Sequence, residues 1–387
     1  MADEGRDRMI ALFWITFAAI VYSLAGYGLI WIALAAVWPR RATHPERPFA
    51  ATMLIAARNE AADIGAKVRS VLDQETGAHD LQVLIVSDGS DDGTEDAALV
   101  AAAGDPRVEV LSTGGHVGKA GALNIGLGRI PPDRIVIFSD ANSTLVPGAV
   151  RALLRPFADP GVGGAIGQLD IPDRGGLLDR AERLFWRYDN ALKIAEDRIG
   201  GTVSAQGTLY AVRRALVRPV PADMADDLVT SLGAVDSGYR LAFAPGAVAR
   251  EAVSSGAKQE MGRRIRSTER GWRGLMQFAR LMNPARTGLY AWQLVSHKFA
   301  RRMVAFLLPV LLILSTLLAN SGPIYAAILI AQLCVYGVAL LSATTSVRLP
   351  GASVATLFTL GHLAIAIAIL RWSVGVRSTK WSPVREG

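Results

Sequence analysis

Long apolar runs at both ends of the chain limit its architecture more than any other feature. Residues 9–38 carry no charged side chain, and neither do residues 303–318, 324–341 and 352–370. A helix of about 20 apolar residues is enough to cross a bilayer. Asn320-Ser321-Gly322-Pro323 and Arg348-Leu349-Pro350-Gly351 separate the last three runs as turn signals. A cleaved signal peptide does not fit residues 9–38, because the run is too long and no small-residue cleavage site follows it. The expectation is one N-terminal transmembrane helix (9–38), a central domain (49–282), about three C-terminal transmembrane helices (303–370) and a tail (371–387).

Charge sets the orientation. The chain has a formal net charge of +7 although 51% of its 387 residues are hydrophobic. The excess lies beside the apolar runs, at Arg40, Arg41 and Arg47 and at Arg263, Arg264, Arg266, Arg301 and Arg302. Basic collars favour the anionic cytoplasmic leaflet, so the central domain is expected in the cytosol, on a bacterial inner membrane. Four crossings put both termini outside, whereas Arg371, Arg377, Lys380 and Arg385 favour an inside tail. One apolar segment lying in the interface removes that conflict.

Composition also excludes whole classes. Cys334 is the sole cysteine, so the chain has no internal disulfide and no cysteine-based zinc site. Five scattered histidines lack ligand spacing. No basic stripe interleaved with aromatics marks a nucleic-acid binder.

In the middle of the chain, apolar runs of strand length (52–57, 83–86, 108–111, 135–138) alternate with stretches of helical period. Such alternation implies an α/β domain, a mostly parallel sheet covered by helices, with ligands at the carboxyl ends of its strands. Polar groups collect there: Ala57-Arg58-Asn59-Glu60, then Ser87-Asp88-Gly89-Ser90-Asp91-Asp92-Gly93-Thr94, then Ser139-Asp140-Ala141-Asn142. One acidic turn is usually a solvated loop; three at successive strand ends point to a site. There is no Walker-type or Gly-x-Gly-x-x-Gly phosphate loop. Asp140 and Asn142 instead offer hard oxygen ligands suited to Mg²⁺ or Mn²⁺, with phosphate as co-ligand.

These motifs, in this order, resemble glycosyltransferase family 2. Asn59-Glu60 is similar to that family's opening motif, and the 87–94 stretch to its Asp-Asp-Gly-Ser-x-Asp-Gly-Thr. Gly118-Lys119-Ala120-Gly121-Ala122-Leu123-Asn124 resembles its Gly-Lys-x-x-Ala-Leu-Asn, and Asp140-Ala141-Asn142 stands at its Asp-x-Asp. Gly207-Thr208-Leu209-Tyr210, with Arg213-Arg214, is similar to its acceptor-side strand, and Asp226-Asp227-Leu228 to its catalytic pair. The resemblance implies a GT-A (Rossmann-like) fold and an inverting transfer from a nucleotide-sugar, a UDP-sugar at family level, to a lipid-linked or growing glycan. It implies Glu60, Asp88, Lys119, Asn124 and Asp140 on the donor, a metal on Asp140 and Asn142, and Asp227 as general base. Asp226, Arg266, Arg270 and Trp272 fall on the acceptor or phosphate side.

Ser87 and Asn142 depart from the family pattern, each replacing an Asp, and Asn142 removes one charge from the metal site. Asp226 and Asp227 also read as acidic residues answering a helix macrodipole. The 263–272 stretch lacks the adjacent Arg-Trp of the processive polysaccharide synthases, which ranks that activity second. It reads equally as an amphipathic interfacial helix near 261–280, with Trp272 as an anchor. The aromatic helix face at 184–188 reads as core. A non-enzymatic membrane scaffold is the remaining alternative, and Asp88, Asp140 and Asp227 argue against it. Membrane lipid and polysaccharide-assembly proteins are the further partners expected.

Overall fold

The structure, a computed structural model, describes residues 2–39, 44–170, 177–251, 257–344 and 351–376. The basic residues Arg40, Arg41, Arg377, Lys380 and Arg385 lie outside that set. The chain opens with two coaxial helices, α1 (Ala2–Val21) and α2 (Tyr27–Val37), joined by a π-type turn at Tyr22–Gly26. The α/β unit follows: β1 (Ala50–Ala57), α3 (Ala61–Leu72), β2 (Asp80–Ser87), α4 (Thr94–Ala102), β3 (Val108–Ser112), α5 (Lys119–Leu127) and β4 (Ile135–Ser139). The second half of the domain holds β5 (Ser143–Leu145), α6 (Ala149–Leu154), β6 (Val162–Asp170), α7 (Leu177–Ile199), β7 (Leu209–Arg213), α8 (Asp226–Asp236) and β8 (Arg240–Glu251). Helix α9 (Ala257–Gln277) leads out through the short α10 (Pro284–Thr287) and α11 (Leu289–Leu294). The last three helices are α12 (Arg301–Leu318), α13 (Pro323–Thr344) and α14 (Ala352–Ser373).

Eight strands make one sheet in the order β3-β2-β1-β4-β7-β6-β8-β5. The pairs β1–β2, β1–β4, β2–β3 and β6–β8 are parallel, and β4–β7, β6–β7 and β5–β8 antiparallel. Strand β1 is apolar without alternation because both its faces are covered. Met53 and Ile55 pack with Ile64, Val68 and Val71 of α3, while Leu54 and Ala56 pack with Leu123 and Leu127 of α5. The expected strands are thus observed, each extended by one to four residues.

Four helical segments are long and apolar enough to cross a membrane: Glu4–Val37, Leu289–Ser321, Pro323–Ser342 and Ala352–Ser373. The second begins at Leu289 and not at residue 303. Its helix runs straight through His297, Lys298, Arg301 and Arg302, charges that in sequence look like a border. Helix α14 lies along α9. Trp272 meets Trp372 edge-on at 6.0 Å, Arg371 Nε is 3.7 Å from Glu269 Oε2, and Arg273 Nη2 donates to the Val376 carbonyl at 3.0 Å. Helix α9 is therefore amphipathic as expected, but its apolar face is covered by protein, between α8 and α14.

One buried cation supports the sheet edge beneath the polar loops. Lys67 of α3 is fully buried and donates to Ser139 Oγ at 2.5 Å and Ser143 Oγ at 3.2 Å. Burial pushes its ammonium down to about 7. Between that value and the ordinary 10.5 the unfolded chain binds a proton that the folded chain does not, so this residue makes stability rise with pH across that window. Thermal melting in detergent at pH 7.5 and 9.5 should show the wild type gaining relative to Lys67→Met; parallel responses of the two proteins would refute the shift.

Candidate active site

The loops after β1 and β2 are stitched to each other before any ligand is considered. Asn59 adopts a left-handed φ of 53°, and its Oδ1 accepts from the Asp91 amide at 3.1 Å. The Glu60 amide donates to Thr94 Oγ1 at 2.8 Å, and the Ala61 amide to Asp92 Oδ2 at 3.0 Å. Asparagine tolerates left-handed backbone better than other side chains, which is why the Asn-Glu pair can turn sharply out of β1. Glu60 itself is buried beside that turn.

Asp88 is fully buried and already committed. Its two oxygens accept from the amides of Val117 and Gly118 and meet His116 Nδ1 at 2.8 Å, so it organises the 116–118 loop. Gly89 next to it has φ +61°, and a Cβ there would lie 2.7 Å from the Gly115 carbonyl carbon. The two loops therefore meet backbone to backbone, and only glycine fits. A direct contact from Asp88 to a base, as expected from sequence, is not what this conformation shows.

Asn124, expected on the donor, has an architectural partner as well. Its carboxamide is used at both ends by Val220, donating to the carbonyl at 2.9 Å and accepting from the amide at 2.8 Å. It clamps the segment leading to α8.

Lys119 opens α5 and reaches across the cleft. Its Nζ lies 2.8 Å from Asp140 Oδ1 at the end of β4 and 3.4 Å from Asp226 Oδ2 at the start of α8. Burial opposes its charge, but Asp140, Asp226 and Asp227 outweigh that and hold the ammonium well above its usual range. Asp227 is pushed up to about 6 by burial and by Asp226 next to it. Its Oδ1 accepts from the Leu228 amide at 2.7 Å, which fixes the carboxylate at the helix N-terminus. Gly207, just before β7, faces both acidic groups. A Cβ built on it would sit 3.6 Å from Asp140 Oδ2 and 3.8 Å from Asp227 Oδ2. Glycine at that position leaves the space between the two carboxylates open.

Asn142 does not stand alone. Its Nδ2 lies 3.4 Å from Oε1 of Glu251, the last residue of β8, and Thr208 Oγ1 is 3.5 Å from Glu251 Oε2. Burial, with Asp140 nearby, holds Glu251 above the usual carboxylate range. Sequence reading missed Glu251, although it is an acidic residue at a strand end, the same signal that marked Asp140. Asp140, Asn142 and Glu251 form a hard-oxygen set that fits Mg²⁺ or Mn²⁺ once phosphate oxygens complete the shell. Among the described residues no cluster of three or more His, Cys, Asp or Glu forms a self-sufficient metal site.

Three residues expected on the acceptor side have other surroundings. Trp272 is buried, stacked on Phe299 at 5.5 Å, because α9 presents its apolar face to α8 and α14; no sugar ring can reach it. Arg270 donates to the carbonyls of Met224 and Ala222, and Arg273 bridges Asp223 and Glu269, so both pin the loop entering α8. Arg266 stays partly exposed on α9.

Comparison with known proteins fits this geometry. Residues 52–218 match the family described as glycosyl transferase family 2. An N-acetylglucosaminyltransferase of Rhizobium sp. (strain N33) is 29% identical over 203 residues, covering 48% of this chain and 44% of the relative. The succinoglycan biosynthesis protein ExoO of Rhizobium meliloti (strain 1021) is 33% identical over 134 residues, or 35% of this chain and 36% of its own. The chain thus spans about half the length, or less, of the curated relatives it matches. Among solved structures, the mannosyltransferase PcManGT from Pyrobaculum calidifontis, in complex with GDP-Man and Mn²⁺, superposes with a TM-score of 0.71 at 23% identity, over 93% of this chain and 98% of that one. The central domain has the GT-A fold, and residues 52–218 within it are similar to glycosyl transferase family 2.

Proposed function

We propose that this protein is an inverting glycosyltransferase that moves a sugar from a nucleotide-sugar, in the first instance a UDP-sugar, to a lipid-linked or growing glycan in polysaccharide or cell-envelope synthesis. The observation that carries this is the open space at Gly207, flanked on one side by Asp140 and on the other by Asp227. The donor diphosphate lies against Asp140, Lys119 and the loops after β1 and β2. The acceptor hydroxyl enters from the α8 side and attacks the anomeric carbon. As that C–O bond forms, the bond to the diphosphate breaks, the hydroxyl proton passes to Asp227, and the anomeric configuration inverts. Lys119 faces the charge that develops on the departing diphosphate. A divalent ion held by Asp140, Asn142 and Glu251 supplies Lewis-acid stabilisation of the same charge when bound.

The packing of α14 favours three crossings. We infer that α1–α2, α11–α12 and α13 span a bacterial inner membrane, with α14 along its cytosolic face beside α9. Support comes from Arg371 and Val376, which touch α9 of the catalytic domain, and from the basic tail that this arrangement keeps inside.

Asp227→Asn should lower transfer by roughly 10²–10⁴-fold while nucleotide-sugar binding persists, and Asp140→Ala should weaken that binding; turnover by Asp227→Asn at the wild-type rate rejects the base. Asp227 must be ionised to accept a proton, so the rate should fall as pH drops through about 6. Asp226→Asn removes the charge that raises Asp227 and should move this acid limb to lower pH; a limb that stays put or rises contradicts the pairing. In a Cys334→Ala background, Asn320→Cys should react with an impermeant maleimide on intact cells and Ser373→Cys only after permeabilisation. Labelling of both from outside means that α14 crosses.

A further inference from the structure

A second cavity adjoins the reaction centre and is built for an anion with an apolar tail. Its volume is about 680 Å³. One wall is cationic, formed by Lys193 of α7, Arg264 of α9, and Lys298, Arg301 and Arg302 where the second long helix enters the domain. Helix α14 adds apolar lining at Val354, Leu357, Phe358 and Ile365. Among the described residues Asp189 is the single carboxylate lining it.

The cations fall into two groups. Lys193 is neutralised by Asp189 at 2.8 Å and also meets Gln206. His297 is held by Glu196 at 2.7 Å, and the Arg301 guanidinium lies 5.9 Å from the Tyr188 ring centre. Lys298 and Arg302 are different. Arg302 donates to the Lys298 carbonyl at 2.8 Å, and neither side chain has a carboxylate within ion-pair distance among the described residues. Asp189 and Asp227 act on Lys298 only from beyond ion-pair distance, and two adjacent cations so placed are stabilised when an anion joins them. A π-type turn at Val295–Ala300 presents Lys298, and such turns concentrate at functional positions. Ionisable residues inside an otherwise apolar helix point the same way.

The cavity also leads to the chemistry. Gln206, in its wall, precedes Gly207, the residue between Asp140 and Asp227. We propose that this cavity binds the phosphate or diphosphate head of a lipid-linked acceptor, with Lys298 and Arg302 on the phosphate oxygens, the lipid chain along α14, and the acceptor hydroxyl directed past Gln206 to Asp227. This narrows the acceptor class and rests on the transferase reading.

The test uses full-length protein in detergent, with farnesyl phosphate, farnesol and inorganic phosphate or pyrophosphate as probes, and nucleotide-sugar binding measured on the same samples. Farnesyl phosphate should bind saturably, and farnesol and the free anions at least about tenfold more weakly. Lys298→Met and Arg302→Met should each weaken farnesyl phosphate by roughly tenfold or more, the loss of one charge-assisted contact. Gly361→Leu provides a variant that spares every cation: a Cβ at Gly361 meets nothing within 4 Å, so the larger side chain should fold and narrow the cavity, again weakening the lipid phosphate. Free anions binding as well as farnesyl phosphate, farnesol binding as well, or indifference of the lipid phosphate to all three substitutions would each overturn the proposal. A protein that turns over a nucleotide-sugar yet ignores farnesyl phosphate loses the cavity and keeps the transferase. One that binds farnesyl phosphate and no nucleotide-sugar does the reverse.

Discussion

The ammonium of Lys119 holds the site together. Without it, Asp140, Asp226 and Asp227 would face one another across a partly desolvated cleft, and mutual repulsion would either protonate them or spread the loops. Placed between β4 and α8, one cation joins the strand end at Asp140 to the helix that carries Asp226 and Asp227. The cleft can therefore keep several acidic groups close together, while burial and the adjacent Asp226 push Asp227 up to about 6.

Much of this was legible in the sequence because strand ends are short and their residues cannot hide. A Gly/Asp/Ser cluster after an apolar run of strand length marks a carboxyl edge whatever the rest of the fold does, and Asp140, Lys119 and Asp227 all sit at or against that edge in the structure. What one-dimensional reading cannot give is which polar group is spent on architecture. Asp88 and Asn124 stand in motifs that suggest ligand contact, yet amides of the 117–118 loop and of Val220 absorb their hydrogen-bonding capacity. Such partners lie some 30 to 96 positions away in the chain and become visible only after folding. Trp272 fails for a related reason. An aromatic on an amphipathic helix looks available until a second apolar helix, α14, is known to cover it.

The opposite error concerns charge within apolar sequence. Hydropathy treats His297, Lys298, Arg301 and Arg302 as the edge of a membrane segment, whereas the helix passes through them without a break. Backbone hydrogen bonding does not register side-chain charge, so helix continuity and apolar run length part company where a domain meets a bilayer. The second half of the sheet, with its antiparallel pairs and the short β5, was equally hidden, since Ser143–Leu145 is too brief to give a periodic signal.

Arg270 and Arg273 give the arrangement a less obvious property. They grip the loop before Asp226 and Asp227 from a helix whose other side rests on α14, and Arg273 also reaches the backbone just beyond α14. The position of Asp227, the proposed base, is thus set in part by the apolar helix α14. Under the proposed membrane arrangement the bilayer is part of the catalytic framework, in the same sense that a second subunit is for an enzyme with a shared site. Lipid thickness and lateral pressure then become variables of the chemistry itself, transmitted through two guanidinium groups to one carboxylate.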